Sequence, residues 1–351
     1  MMQLINDIPA SSLFYFFLGC LLFLVMLAYI LMARRFGIID YPNERSSHKH
    51  PTISSAGVLF PFAVLLWFIL SGMQDALIVF ALLLLSVLSF LDDIRHVNAK
   101  LRILFHFIAA AMLMLATSFV SQQWYAVLPA YLLVFGYINA GNFMDGINGM
   151  TAFFHIVTFG SFILLEQIAM INPFTPEFME IPGQVPILFP QGLVNILFIS
   201  MLVFTFFNAR KKALVFAGDA GSISLSFIVA WLLIELMLAT GNYYWILFIA
   251  TYGIDTVYTM IARLRQGQKP LEAHRTHLHH LLIDVAKYPQ LKVSAAYAIT
   301  QIIINAFTIW MISTGNMNMI TFLLTLLAVI VVYALFREKV VKLERRASMP
   351  E

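Results

Sequence analysis

The sequence predicts an all-α polytopic membrane protein of about eleven transmembrane helices, with the N-terminus outside and the C-terminus in the cytoplasm. Three observations predict it. The 351 residues are 61% hydrophobic and 11% charged, against roughly 25% charged in ordinary soluble domains. Apolar runs near the ~20 residues that a hydrocarbon core of about 30 Å demands recur along the chain. Finally, Lys and Arg are confined to alternate connections between those runs.

The runs fall at 12–33, 57–72, 76–91, 103–120, 124–140, 149–170, 190–207, 222–240, 243–262, 293–313 and 318–336. The first lacks both a basic leader and a small-residue cleavage site, so it is expected to be a retained helix and not a signal peptide. Of the 21 Lys and Arg, four lie in 34–49, three in 95–102, three in 210–212, six in 263–292 and five in 337–346. The connections between these stretches carry none. Positive charge stays on the cytoplasmic side of short loops, which orients the chain and requires an odd number of spans. The inner loops are then expected near 34–56, 92–102, 139–149, 208–221 and 263–292. The outer connections are short except 171–189, where Pro173, Pro176, Pro182, Pro186 and Pro190 forbid an ordinary helix and suggest a segment on the outer surface. Residues 1–336 thus form one transmembrane domain, followed by a basic cytoplasmic tail at 337–351 suited to topology and lipid headgroups.

Composition also excludes. The single cysteine, Cys20, sits in the first apolar run, so disulfide and Cys-based zinc chemistry drop out. A net charge of +3 in a membrane protein reports topology before it reports nucleic acid, so no nucleic-acid partner is expected.

Five inner stretches are more polar than topology requires. Asp40 to Lys49 joins two cations, Arg45 and Lys49, to His48, which suits a phosphate-bearing ligand; a solvated loop would use the same residues. Asp92-Asp93 ends the third run ahead of Arg95, Lys100 and Arg102. Adjacent carboxylates repel and sit poorly at a helix C-terminus, so retaining both calls for a cation, a metal or full solvation. Asn139 to Gly149 holds three Asn, one Asp and three Gly, a polar turn whose backbone can approach a ligand closely. In Phe216-Ala217-Gly218-Asp219-Ala220-Gly221-Ser222, the aspartate opens the eighth run between glycines that admit phosphate or metal to backbone N–H groups; a plain N-cap would explain Asp219 equally well. His274-Arg275-Thr276-His277-Leu278-His279-His280 would ligate a metal, clamp a pyrophosphate or remain a solvated histidine run, and its spacing matches no structural zinc site. Taken together, carboxylates with cations on one face suit Mg²⁺ held by oxygen ligands and substrate phosphates.

In this order the five stretches resemble the polyprenyl-phosphate N-acetylhexosamine-1-phosphate transferases, the membrane glycosyltransferase family 4. The likeness runs over nearly the whole chain, from Asp40 to His280. Its carriers are Asp40-x-Pro42-Asn43-x-Arg45-x-x-His48, Asp92-Asp93 with Lys100-x-Arg102, Asn139-x-x-Asn142-x-x-Asp145-Gly146, Phe216-x-Gly218-Asp219-x-Gly221-Ser222 and Arg275-x-His277-x-His279-His280. The last form is similar to the GlcNAc-1-phosphate branch. Where the family carries a glycine pair after the first loop, this chain keeps only Gly57.

The resemblance implies transfer of a sugar 1-phosphate from a UDP-N-acetylhexosamine to polyprenyl (undecaprenyl) phosphate, releasing UMP, as the first membrane step of a cell-envelope glycan. It implies Mg²⁺, with Mn²⁺ as the alternative ion, and a site on the cytoplasmic face of the inner (plasma) membrane; a homodimer is left open. Asp219 would hold the metal, and Asp92 and Asp93 would engage or deprotonate the acceptor phosphate. Asn142 and Asp145 would hold the uridine diphosphate, Phe216 would stack on uracil, and Arg275, His277, His279 and His280 would bind diphosphate and sugar. Arg45, His48, Lys100, Asn139 and Asn208 complete the expected substrate contacts. A secondary transporter, with ionisable groups at the bilayer midplane, and an inactive scaffold are the rival readings. Asp255, deeper in the ninth run, is left open between pairing with a cation of the site and helix packing.

Overall fold

The computed structural model describes residues 11–42, 47–95, 97–117, 119–171, 188–269 and 274–347. Helix α1 (Ser12–Phe36) starts where the Ser11 side chain accepts the Phe14 N–H and stops at Gly37, whose φ of 68° turns its N–H back to the Ala33 carbonyl. Strands β1 (Ile39–Asp40) and β2 (Thr52–Ile53) pair antiparallel beyond it. A 3₁₀ turn (Ala56–Val58) leads into α2 (Leu59–Leu70), and α3 (Ala76–Ile94), α4 (Ala99–Ala116), α5 (Trp124–Met144) and α6 (Met150–Ile171) follow. Then come α7 (Leu193–Asn208), α8 (Gly218–Thr240), and a 3₁₀ segment (Tyr243–Ile249) that runs into α9 (Ala250–Arg265). The short α10 (Leu278–Asp284) precedes α11 (Gln290–Ser313) and α12 (Met319–Ala347).

Every apolar run is therefore helical among the described residues, and the protein is a multi-pass, all-α membrane protein. Among the described residues, nine helical segments are long and apolar enough to cross a bilayer; the apolar helices Ala56–Leu70 and Leu193–Asn208 are shorter. Residues 172–187 of the Pro-rich segment and Arg45, with Asn43, Glu44 and Ser46, lie outside the described residues.

Helix α8 is the axis of the bundle. It is buried over 83% of its apolar window, whereas α12 is buried over 6% and turns its apolar side chains outward. A helix hydrophobic all round belongs inside, and α8 is wrapped by α2, α3 and α5. Gly141 of α5 permits this closeness, since a Cβ there would lie 1.7 Å from Ser226 Oγ.

Three local features depart from expectation. The two-residue strands were not foreseen, because Ile53 also bridges Val215, a partner too distant in sequence to leave a pattern. The third polar stretch is not a loop throughout: α5 continues to Met144, so Asn139 and Asn142 lie on its last turns. Packing against α8 holds those turns helical despite their Gly and Asn. Helix α10 occupies the fifth loop, too short to leave an amphipathic signal.

Candidate active site

The adjacent acids of α3 diverge to different partners. Asp93 accepts the backbone N–H groups of Asp219 (2.9 Å) and Ala220 (3.2 Å) and the Ser55 hydroxyl (2.6 Å), and so caps the N-terminus of α8. Asp92 accepts the Val97 N–H at 2.6 Å and the Arg102 guanidinium at 2.6 Å. The carboxylates thus face a positive helix end and a cation, which removes the difficulty of two anions at the C-terminus of α3. Gly218 fits this close meeting: its φ is +68°, and a Cβ would lie 2.5 Å from Asp93 Oδ2.

The first stretch is stitched to the fourth by backbone. The Phe216 N–H donates to Ile53 O (2.8 Å), Ala56 N–H to Phe216 O (2.9 Å) and Gly57 N–H to Ala217 O (3.0 Å). Gly57 and Gly221 pack backbone to backbone, since a Cβ on Gly57 would sit 2.1 Å from Gly221 Cα. A side chain at either position would meet backbone. His48 lies edge-on to Phe216 with centroids 4.8 Å apart, and its Nε2 is 3.9 Å from Asp40. Burial raises the Asp40 carboxyl above its ordinary range, against the pull of His48.

Asparagines join the third and fourth stretches. Asn208 accepts the Gly149 N–H (3.0 Å) and donates to Val215 O (2.9 Å), while Asn148 donates to Arg210 O (2.9 Å). The Ser222 hydroxyl donates to Asn142 at 3.3 Å. Asp145 accepts the Thr151 hydroxyl at 2.6 Å. Burial pushes its carboxyl up to about 6; the Thr151 bond opposes this and the Asp93 charge adds to it.

The histidine stretch closes over this assembly. Arg275 donates twice to Asp284 (2.9 and 3.0 Å) and once to Ser47 Oγ (2.9 Å). His280 packs onto Gly146, where a Cβ would come within 2.5 Å of its Cε1. Burial drives the His279 and His280 imidazoles below their ordinary range, so both rings are neutral at pH 7.

A cavity of about 680 Å³ collects side chains from all five stretches. Of the expected residues, His48, Asp92, Asp93, Asn142, Asp145, Asn208, Phe216, Asp219, Arg275 and His280 line it. Lys100, Asn139, His277 and His279 do not. Lys100 opens α4 on the exposed surface. Asn139 is 3.1 Å from His106 Nδ1, between α4 and α5. His277 and His279 are buried beside Asp255, at 3.1 and 3.6 Å. The structure adds Asp40, Ser47, Arg102, Asn148 and His274 to the walls. Arg102 had a signal, two positions beyond Lys100. Asn148 and Ser47 had none beyond their polar stretches.

A cation site made by protein alone would group three or more His, Cys, Asp or Glu, and no such group occurs among the described residues. Mg²⁺ needs only one or two carboxylates, completed by phosphates and water. Asp219 suits this: its side chain is 27% exposed against 6% for Asp92, and it lies 3.5 Å from Arg102, whereas both oxygens of Asp93 are engaged.

The glycosyl transferase family 4 model matches residues 76–237. This segment contains the second, third and fourth stretches, with Asp92, Asp93, Asn142, Asp145, Asn208, Phe216 and Asp219; the Asp40 and histidine loops flank it. The chain is 28% identical over 292 residues to the undecaprenyl-phosphate alpha-N-acetylglucosaminyl 1-phosphate transferase of Yersinia pestis, covering 75% of each. It is 25% identical over 277 residues to the protein of that name from Escherichia coli K12, covering 72% of this chain and 71% of the relative. It is 25% identical over 307 residues to a probable undecaprenyl-phosphate N-acetylglucosaminyl 1-phosphate transferase of Bacillus subtilis, covering 80% and 81%.

Proposed function

We propose that this protein transfers N-acetylhexosamine 1-phosphate, GlcNAc 1-phosphate first among the candidates, from a UDP-sugar to undecaprenyl phosphate. The products are a polyprenyl-diphosphate sugar and UMP. The observation that carries this reading is the convergence of five separated stretches on one cavity, with Asp92, Asp93 and Asp219 at one wall and Arg275 and His280 at another. The names of the relatives support the same acceptor and sugar. The chain would cross the inner membrane eleven times with its C-terminus in the cytoplasm, where nucleotide sugars are made.

An oxygen of the acceptor phosphate attacks the sugar-bearing β-phosphorus. The β-phosphorus to bridging-oxygen bond breaks, and UMP leaves with the electron pair. Mg²⁺, held by Asp219 together with substrate phosphates, would supply charge neutralisation between two anionic reactants. Arg102 adds positive charge beside Asp219, and Arg275 and His280 would meet the donor diphosphate and sugar. Asn142 and Asp145 would face the nucleotide, and Phe216 presents a ring on which uracil can stack. A phosphate monoester with a second pKa near about 6 is mostly dianionic at pH 7 and needs no general base. Asp93 accordingly acts by holding the first turn of α8, which carries Asp219.

A transporter would place paired charges at midplane in two repeated halves. Here Asp92, Asp93 and Asp219 sit at helix ends around one cavity. The test is reconstitution of the purified protein with undecaprenyl phosphate, Mg²⁺ and a panel of UDP-N-acetylhexosamines, followed by mass spectrometry of the lipid. One UMP per diphosphate-linked lipid is expected. Folded protein that makes no such lipid from any donor refutes the proposal.

A further inference from the structure

The most buried carboxylate among the described residues is unused by this chemistry. Asp255, on α9, is fully buried and stands off the cavity, yet it collects hydrogen bonds from four elements. Its Oδ1 accepts from His277 Nδ1 (3.1 Å), the Leu278 N–H (3.2 Å), the Thr259 hydroxyl (3.2 Å) and the Tyr333 hydroxyl (2.9 Å), and its Oδ2 from the Tyr297 hydroxyl (2.6 Å). Arg337 of α12 donates to two of these hydroxyls, Thr259 (3.0 Å) and Tyr333 (3.1 Å), so the buried charge is compensated through shared groups.

Two of the donors, His277 Nδ1 and the Leu278 N–H, belong to the histidine stretch. With Asp255 accepting a hydrogen bond from Nδ1–H, the His277 tautomer and ring plane are set. The ring stacks on His274 and Phe143, with centroids 4.9 and 6.1 Å away. His279 Nδ1 stands 3.6 Å from the other carboxylate oxygen, and His280, packed at 4.1 Å on His279, reaches the cavity.

We infer that Asp255, held by Tyr297, Tyr333 and Arg337, is a positioning residue that fixes the histidine stretch so that Arg275 and His280 meet the donor. The inference rests on the reading above, in which those two side chains engage the UDP-sugar. Asp255 touches no substrate, and its effect falls on donor binding. A buried carboxylate ringed by hydroxyls from α11 and α12 is more than a loop needs to stay folded. The same oxygens that tie the three helices also orient the loop, so loosening them displaces His280 and leaves the acidic wall at α3 and α8 in place.

The test compares Asp255→Asn, Tyr333→Phe and Tyr297→Phe in the purified, reconstituted protein, with donor and acceptor KM measured separately and UDP binding measured by calorimetry. Asp255→Asn removes charge-assisted bonds, and donor KM is expected to rise about tenfold or more with acceptor KM unchanged. Each tyrosine variant removes one neutral bond from outside the cavity, and a rise of about 2–10-fold in donor KM is expected. The UDP dissociation constant should shift in parallel. Loss that appears equally in donor and acceptor KM, or in kcat alone, would mark general structural damage and overturn the inference. So would a wild-type donor KM in folded Asp255→Asn. If Asp255→Asn does not fold, unchanged donor KM in both tyrosine variants overturns it. A wild-type protein that neither binds UDP nor releases UMP sinks the proposed activity and this inference with it.

Discussion

Replacing Asp93 by asparagine separates two roles a carboxylate could have here. In the structure Asp93 Oδ1 holds the Asp219 N–H, and Oδ2 holds the Ala220 N–H and the Ser55 hydroxyl. An amide offers one acceptor oxygen, so one side of this set must face an NH₂ group. If the oxygen stays with Ala220 and Ser55, the Asp219 N–H loses its partner. One charge-assisted bond is worth about 1.5–3 kcal/mol, and the lost negative charge at a helix N-terminus about 0.3–1 kcal/mol. Asp93→Asn is therefore expected to destabilise the first turn of α8 by about 2–4 kcal/mol. It should also displace Asp219, and a shift of about 1 Å at a reacting group costs on the order of 100-fold in rate. Thermal unfolding in detergent and UMP release read both effects. Unchanged melting and unchanged turnover would refute the capping argument. Turnover lost with intact melting, together with loss of an acidic limb in the pH–rate profile, would show instead that Asp93 accepts a proton.

Further outcomes follow from other parts of the site. Gly57→Ala places a methyl 2.1 Å from Gly221 Cα, backbone against backbone; overpacking of about 1–3 kcal/mol or more is expected, seen as a lower melting temperature, and a wild-type melt would contradict the contact. Arg102→Gln leaves Asp92 buried without its cation. A loss of about 1–3 kcal/mol is expected, reduced from the fully buried case because the Arg102 side chain is 36% exposed, and denaturation curves measure it. Asp145, with its carboxyl raised by burial to about 6, favours its protonated form when folded. Its contribution to stability is present below about pH 4 and lost as pH rises through about 6. Asp145→Asn should therefore gain in relative melting temperature above pH 6, and a difference from wild type that does not change with pH would refute this. Chelation by EDTA should stop UMP release and added Mg²⁺ restore it, whereas undiminished turnover in EDTA would exclude the metal.

Much of the fold was legible because hydropathy is local. Each run announced its own helix, and Gly37 and Gly241 stop α1 and α8 in the left-handed backbone that glycine favours. The five polar stretches were legible for a related reason: Asp92-Asp93 or His277 to His280 is too costly near a bilayer to be filler. Partnership was not legible. Nothing in Asp92-Asp93 reveals that one acid caps a helix beginning 125 residues later while its neighbour takes Arg102. Asn208 read as a candidate ligand contact, yet its bonds to Gly149 and Val215, like that of Asn148 to Arg210, tie the loops together.

By itself the sequence determined the solvent in which this protein folds, the apolar helices and the inventory of groups kept among them, since each depends on residues close together in the chain. Only the tertiary structure decided which of those groups share the cavity, which are spent on one another, and that Asp255 serves the histidine stretch from behind. Those assignments depend on helices packed around α8 from distant parts of the chain, and hydrogen-bond geometry across such distances leaves no periodicity to read.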